Sequence, residues 1–229
     1  MKEADQYLES AFGGISAVCY STKDTQRNSY ANGFYVENKG IEGDVVECGI
    51  AAGGNFAMMI EGVLCANAKT NRTFWGYDSF IGIQLAGSKD TEQAGIGAIT
   101  HDTNVPSDQL LVSSGITVHS EQEVVNNLKK WGLYDKVKIK LVSGWVQKSM
   151  PEDSPEKIAI LRLDMDIYDP TIFVLRMLYD RISTGGVIII DDWALEGVRV
   201  AVQEFCKEKG IVPHLKTIEN STPVYWVKE

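Results

Sequence analysis

Residues 44–55 read DVVECGIAAGGN, and the fold follows from how this stretch is parsed. Residues 44–49 form a short, mostly apolar run, the composition of a buried strand. Glycines at 49, 53 and 54 then permit a tight turn. Beyond it, over residues 55–66, Phe56, Met59, Ile60 and Val63 recur at helical spacing. Strand, Gly-rich turn and helix in that order make a βα unit. The turn lies at the carboxyl end of the strand, where the free N–H groups of a helix start can receive a carboxylate or other anion. The glycines do not follow GxGxxG, so the dinucleotide fingerprint is absent. A purely structural bend would use the same residues.

Outward from this unit the pattern repeats. Apolar strand-like runs occupy 73–77, 137–142, 158–163, 187–190 and 224–227, and amphipathic helices fit 121–130, 171–181 and 197–209. The expected class is α/β, a doubly wound, mostly parallel sheet in one domain over 1–229. Residues 1–40 read as a helical segment covering the sheet edge or forming a dimer contact. Residues 83–114 are rich in Gly, Thr, Ser, Asp and Gln with scattered apolar positions. A long irregular stretch after a strand reads as a lid over a ligand crevice.

The acidic residues are more specific than the glycines. Asp78 closes the second strand, about 30 residues past the Gly loop, where a carboxylate can accept hydrogen bonds from both hydroxyls of a ribose; an N-cap or turn former would look the same. The fourth strand ends LRLDMDIY (161–168) and the fifth IIIDDW (188–193). Side by side, these strands bring Asp164 to Asp191 and Asp192 at one rim. Ionising several adjacent carboxylates calls for a cation, and hard oxygen ligands suit Mg²⁺ or Mn²⁺. Turn formers after strands explain one such aspartate well and four poorly.

With these residues in place, the chain resembles the macrocin O-methyltransferase family, which methylates sugar hydroxyls on macrolide and aminocoumarin antibiotics. The matching stretches are GDVVECGIAAGG (43–54), YDSFIG (77–82), GLYDKVKIKLVSGWVQKSMP (132–151), LRLDMDIYDPT (161–171), YDRISTGGVIIIDDW (179–193) and GVRVAVQEF (197–205). The resemblance implies the class I methyltransferase sheet of seven strands with a reversed strand at its end. It also implies S-adenosylmethionine at the Gly loop (Glu47, Gly49, Ile50, Ala51, Gly53, Asn55) and at Asp78 and Ser79. By it, Asp164, Asp191 and Asp192 hold Mg²⁺ or Mn²⁺, and Asp166 is the general base. Ser143, Gly144 and Trp145 are placed to flank the adenine, Trp145 serving either as a stacking face or as core. The implied acceptor is a small-molecule hydroxyl, by family default on a sugar, with a catechol-like or other vicinal diol as the alternative. A homo-oligomer is implied as well. Three departures stand out: Met165 replaces the usual Gly, Ala51 and Ala52 replace a Trp-Arg pair, and residues 83–114 are not similar.

Composition bounds what remains. The 229 residues carry a net charge of −9, 44% hydrophobic and 23% charged residues, with a sequence pI of about 4.9. An acidic chain is a poor partner for a phosphate backbone. No apolar run approaches the ~20 residues of a membrane span, and residues 1–10 are polar, so a soluble, cytoplasmic protein is expected. Cys19, Cys48, Cys65 and Cys206 lack zinc-site spacing and read as reduced, buried thiols. His101 and His119, in or beside the lid, read as solvated residues or alternative bases, and His214 as structural. A dehydrogenase would need the missing GxGxxG. A phosphatase would carry its DxD early in the chain rather than late. A non-catalytic nucleoside-binding domain would have no use for the acidic cluster.

Overall fold

The protein is described here by a computed structural model, which covers residues 14–90 and 107–229. In chain order the elements are α1 (Lys23–Asn38), β1 (Asp44–Cys48), α2 (Gly54–Ala66), β2 (Thr73–Asp78), α3 (Glu121–Lys130), β3 (Lys138–Ser143), α4 (Val146–Ser149), β4 (Ile158–Leu163), α5 (Tyr168–Leu178), β5 (Ile182–Ile190), α6 (Glu196–Lys209), β6 (Lys216–Thr217) and β7 (Val224–Val227). The seven strands form one sheet in the order β3-β2-β1-β4-β5-β7-β6. β1 to β5 run parallel to one another, and β7 runs antiparallel to both β5 and β6.

The chain steps outward from β1 to β3, then crosses to the other side of β1 for β4. The order therefore reverses between β1 and β4, and ligands in such sheets bind outside the carboxyl ends of the strands at that point. The register aligns those ends. Cys48 pairs with both Tyr77 and Leu163, Leu163 with Ile190, and Asp78 with Ser143. The residue after each strand continues the ladder: Gly49 N–H donates to the Tyr77 carbonyl at 2.8 Å, Asp164 N–H to Cys48 at 2.9 Å, Asp191 N–H to Leu163 at 2.8 Å and Gly144 N–H to Asp78 at 2.9 Å. Four segments thus emerge level at one rim.

Alternation along the strands feeds two cores. Val45, Phe74, Ile160 and Ile189 face Phe56, Met59 and Leu128 on one side. Val46, Tyr77, Leu161 and Ile188 face Leu175, Val202 and Phe205 on the other. Every residue of β4 is buried, which explains its unbroken apolar run, save Arg162.

Four details differ from the sequence reading. β5 starts at Ile182 rather than 187; Gly185, at a φ of 84°, looks like a turn but sits in an irregular part of the strand. α5 starts earlier, at Tyr168, and gives way after Leu178 to a 3₁₀ turn, Tyr179–Arg181. β6, two residues long, is too short to show a period. Of the four free thiols only Cys48 and Cys206 are buried, and Cys65 on the last turn of α2 is exposed. Among the described residues no helix is long and apolar enough to cross a membrane.

α1 lies along α2, on a face of the sheet rather than at its edge, and also touches β4 and β5. Glycines set this crossing. A Cβ on Gly62 would lie 2.0 Å from the Tyr30 carbonyl oxygen, and one on Gly33 would lie 2.3 Å from that of Met59. Helix propensity alone favours Gly62→Ala by about 1 kcal/mol. Backbone overlap costs more, typically about 1–3 kcal/mol. Gly62→Ala is therefore expected to lower the urea midpoint. A raised midpoint would show that the two helices can part without cost.

Candidate active site

The Gly loop is shaped by its neighbours. A Cβ on Gly49 would come within 1.8 Å of the Asp164 carbonyl oxygen, so only glycine lets β1 exit beside β4. Ala51 and Gly53 both take positive φ, 46° and 89°, and Gly53 N–H closes the turn onto the Ile50 carbonyl at 2.7 Å. Asp78 ties this loop to the next one. Its Oδ2 accepts from Ala51 N–H at 2.9 Å and its Oδ1 from Phe80 N–H at 2.8 Å. Burial raises the Asp78 carboxyl above its ordinary value, partly offset by those two donors. The turn-forming and ribose-binding readings of Asp78 are compatible, since each carboxylate oxygen has a second lone pair.

Three carboxylates converge at the rim beyond β4 and β5: oxygens of Asp164, Asp166 and Asp192 all lie within 4.8 Å of one another. Asp166 has a φ of 62°, in the left-handed region a non-glycine residue rarely occupies, and its N–H donates to Asp192 Oδ2 at 2.9 Å. Burial, then neighbouring carboxylates, push the Asp166 and Asp192 carboxyls upward.

Asp191, expected in the metal set, is turned elsewhere. Its Oδ1 is paired with Nη2 of Arg162, a side chain with no exposed surface. Nη1 of the same guanidinium donates to Glu47 Oε1 at 2.7 Å and to Asp164 Oδ2 at 2.8 Å. Burial works against the Arg162 charge, and its three carboxylates outweigh that burial. Burial likewise lifts Asp191 and Glu47 against the pull of Arg162. One guanidinium thus faces Glu47, Asp164 and Asp191, with Asp166 and Asp192 nearby, and the excess of carboxylates suits a cation.

A cavity of about 420 Å³ opens along this rim. Of the expected site residues, Gly49, Ala51, Asp78, Ser79, Gly144, Trp145, Asp164, Asp166, Asp191 and Asp192 line it. Four residues assigned to the donor lie behind the wall instead. Glu47 is held by Arg162. Ile50 is buried and packs toward Gly76. Gly53 caps α2. Asn55 exchanges hydrogen bonds with Ser29 and Ser21 of the N-terminal segment, at 3.0 and 3.1 Å. These positions shape the loop from its far side. Ser143, the last residue of β3, is exposed, and Trp145 caps α4 at the cavity.

The ends of the expected lid are ordered as a stem. Ile83 N–H donates to Ile116 at 3.0 Å, Ser114 N–H to Ile83 at 2.8 Å, and Gln84 bridges to Ser113. Residues 91–106, with His101, lie outside the described residues. His119 is fixed rather than solvated, with Nδ1 3.0 Å from Glu123 and Nε2 3.2 Å from the hydroxyl of Tyr20, itself a cavity residue. His214 is exposed, before β6.

Sequence reasoning passed over Arg162, Tyr20, Gln84 and Gln147. A signal for Arg162 existed: an arginine within an apolar central strand needs a partner, and Glu47 is the matching misfit in β1. The other three come from irregular segments whose meeting no spacing foretells.

The profile of the macrocin-O-methyltransferase family (TylF) matches residues 28–228. The chain belongs to this family. Its relatives include mycinamicin III 3''-O-methyltransferase of Micromonospora griseorubida, 34% identical over 187 residues, which are 82% of this chain and 69% of that protein. A tetracenomycin-C rhamnosyl 4'-O-methyltransferase of Streptomyces olivaceus is 31% identical over 82% of this chain and 66% of its own length. The chain therefore spans about two thirds of the length of these curated relatives. Among solved structures, the O-methyltransferase NovP superposes with a TM-score of 0.72 at 30% identity, covering 90% of this chain and 79% of NovP.

Within this macrocin-type chain, the Arg162 cluster generates a stability prediction. Breaking a buried ion pair from one side typically costs about 3–5 kcal/mol, because the remaining charges stay buried. Arg162→Met should cost that much in chemical denaturation. A loss below about 1 kcal/mol would show that water or protons replace the guanidinium freely.

Proposed function

We propose that the protein transfers a methyl group from S-adenosylmethionine to a hydroxyl of a sugar, with a divalent cation at the aspartate cluster. The observation that carries this reading is the single cavity wall on which Asp78, the Gly loop and Asp164, Asp166 and Asp192 all open. Relatives named for methylation of sugar-bearing natural products support the acceptor class.

The residues divide the work along the rim. Asp78, at the end of β2, receives the ribose hydroxyls, while Gly49 and Ala51 leave room for the amino-acid part beside β1. Gly144 and Trp145 border the base. Asp164 and Asp192 hold the cation, being named by both the resemblance and the geometry. The resemblance gives the third place to Asp191, whose Oδ1 is on Arg162 and whose other oxygen would have to reach the ion, and it leaves Asp166 for the proton. When bound, the ion would lower the acceptor hydroxyl's pKa and orient a vicinal diol. Asp166, left off the ion, accepts the hydroxyl proton as the acceptor oxygen displaces the sulfur at the methyl carbon.

The first test is an acceptor screen over glycosylated and vicinal-diol compounds, read as a mass gain of one methyl group. Transfer to catechols but not to sugars would overturn the acceptor class. Asp78→Ala should weaken S-adenosylmethionine binding by about 1–3 kcal/mol in calorimetry, the usual cost of losing hydrogen bonds to a charged group. Unchanged affinity would remove Asp78 from the donor site.

The metal makes a separate prediction. EDTA should abolish turnover and Mg²⁺ or Mn²⁺ restore it, while S-adenosylmethionine still binds. Asp164→Asn and Asp191→Asn should lower metal affinity, whereas Asp166→Asn should lower turnover and spare metal affinity. Full activity without metal would sink the cation. If Asp166→Asn weakened metal binding as much as Asp164→Asn does, Asp166 and Asp191 would exchange roles.

A further inference from the structure

Asp90 is buried, 5% exposed, although it belongs to an irregular segment after β2. Its carboxylate sits where two helices begin. Oδ1 accepts from Tyr168 N–H, the first amide of α5, at 2.8 Å, and Oδ2 accepts from Gly87 N–H at 3.0 Å. The start of α6 packs against the same group: a Cβ on Gly197 would come within 1.9 Å of Asp90 Oδ1. The cap residues of these helices, Ile167 and Leu195, make no side-chain capping bond. A carboxylate is the group that the free amides and positive end of a helix start favour. The segment that carries Asp90 is also held nearer its beginning, where Gln147 Nε2 donates to Gln84 Oε1 at 2.8 Å.

We propose that Asp90 is a positioning residue for Asp166; its effect on turnover, though not the positioning itself, rests on the reading of Asp166 as proton acceptor. Three consecutive amides hold the turn between β4 and α5. Asp166 N–H donates to Asp192 Oδ2 at 2.9 Å, Ile167 N–H to the Met165 carbonyl at 2.7 Å and Tyr168 N–H to Asp90 Oδ1 at 2.8 Å. The first acceptor follows β5 and the second belongs to the turn itself. Asp90 alone of the three reaches in from outside the β4–β5 rim. The left-handed backbone of Asp166 persists only where its surroundings hold it. Without Asp90 the first amide of α5 loses its acceptor. The turn is then free to return Asp166 to an ordinary φ, and its carboxylate leaves the cluster. α6 begins shortly after Asp192, so one side chain braces the segments that follow both Asp166 and Asp192.

The test is amide hydrogen exchange read by NMR on the full chain, comparing the native protein with Asp90→Ala and Asp90→Asn. Tyr168 N–H is freed by either role, so the informative amide is that of Asp166, whose own acceptor is untouched. In Asp90→Ala it should exchange at least about tenfold faster relative to the amides of Val45 and Val46 in β1, which correct for any change in global stability. Asp90→Asn keeps the shape and one acceptor oxygen and should show a smaller change of the same kind; it carries the test if Asp90→Ala does not fold. Turnover is read with Mg²⁺ and the sugar acceptor found by the mass screen. Asp90→Ala should lower kcat about tenfold to a hundredfold, the scale on which small misplacements act, and leave KM values within about twofold. In an Asp166→Asn background the same substitution should cost no more than about twofold, because residues acting through one another are not additive. Unchanged relative exchange at Asp166 in the folded variants would overturn the proposal. So would a kcat loss of the same size in the Asp166→Asn background. If the Asp166 amide is freed but Asp166→Asn itself keeps full turnover, the positioning stands and the proton-acceptor reading fails.

Discussion

One buried guanidinium joins the three strands on which the site depends. Arg162 is the penultimate residue of β4, and its partners come from β1 and from just past the ends of β4 and β5. An uncompensated charge at that depth would be very costly. The register in which Cys48, Leu163 and Ile190 lie level is also the register that brings Glu47, Asp164 and Asp191 within reach of one side chain. A slip of one residue would send these groups to the opposite face. The ion cluster thus ties the alignment of the rim to the cost of burying charge. It also keeps carboxylates at a place where their mutual repulsion would otherwise favour protonation.

Around that anchor, the chain uses positions that side chains ordinarily avoid. Gly49 yields to the backbone of β4, and Asp166 stands in left-handed backbone with its N–H on Asp192. Both distortions lie next to the acidic cluster. Away from the rim the ladder shifts register only near the starts of β1, β4 and β5, and the cores are built from the expected alternation.

The βα units were legible because periodicity and punctuation agreed: β1, β4, α3 and β7 end within a residue of where apolar pattern and glycine or aspartate placed them. The rim aspartates were legible because carboxylates directly after buried strands have few structural uses. Which of them converge was not. That depends on side-chain direction at the rim, and Arg162 draws Asp191 away while the unusual backbone of Asp166 turns it inward. The inner wall misled in the other direction. Glu47, Ile50, Gly53 and Asn55 belong to the same motif as the cavity residues, yet alternation and the helix start point them into the protein. Contacts between distant irregular segments, such as Gln84 with Gln147 or Tyr20 with His119, leave no trace in local pattern.

Asp78 links the first two crossover loops before any ligand arrives, because its two oxygens already hold the amides of Ala51 and Phe80. The conformational freedom of both loops is removed during folding rather than during binding. A donor entering there meets a fixed surface and orders little on arrival. The two halves of the crevice thus differ in character, a rigid seat on the β1–β2 side facing an acidic side whose shape depends on what neutralises it.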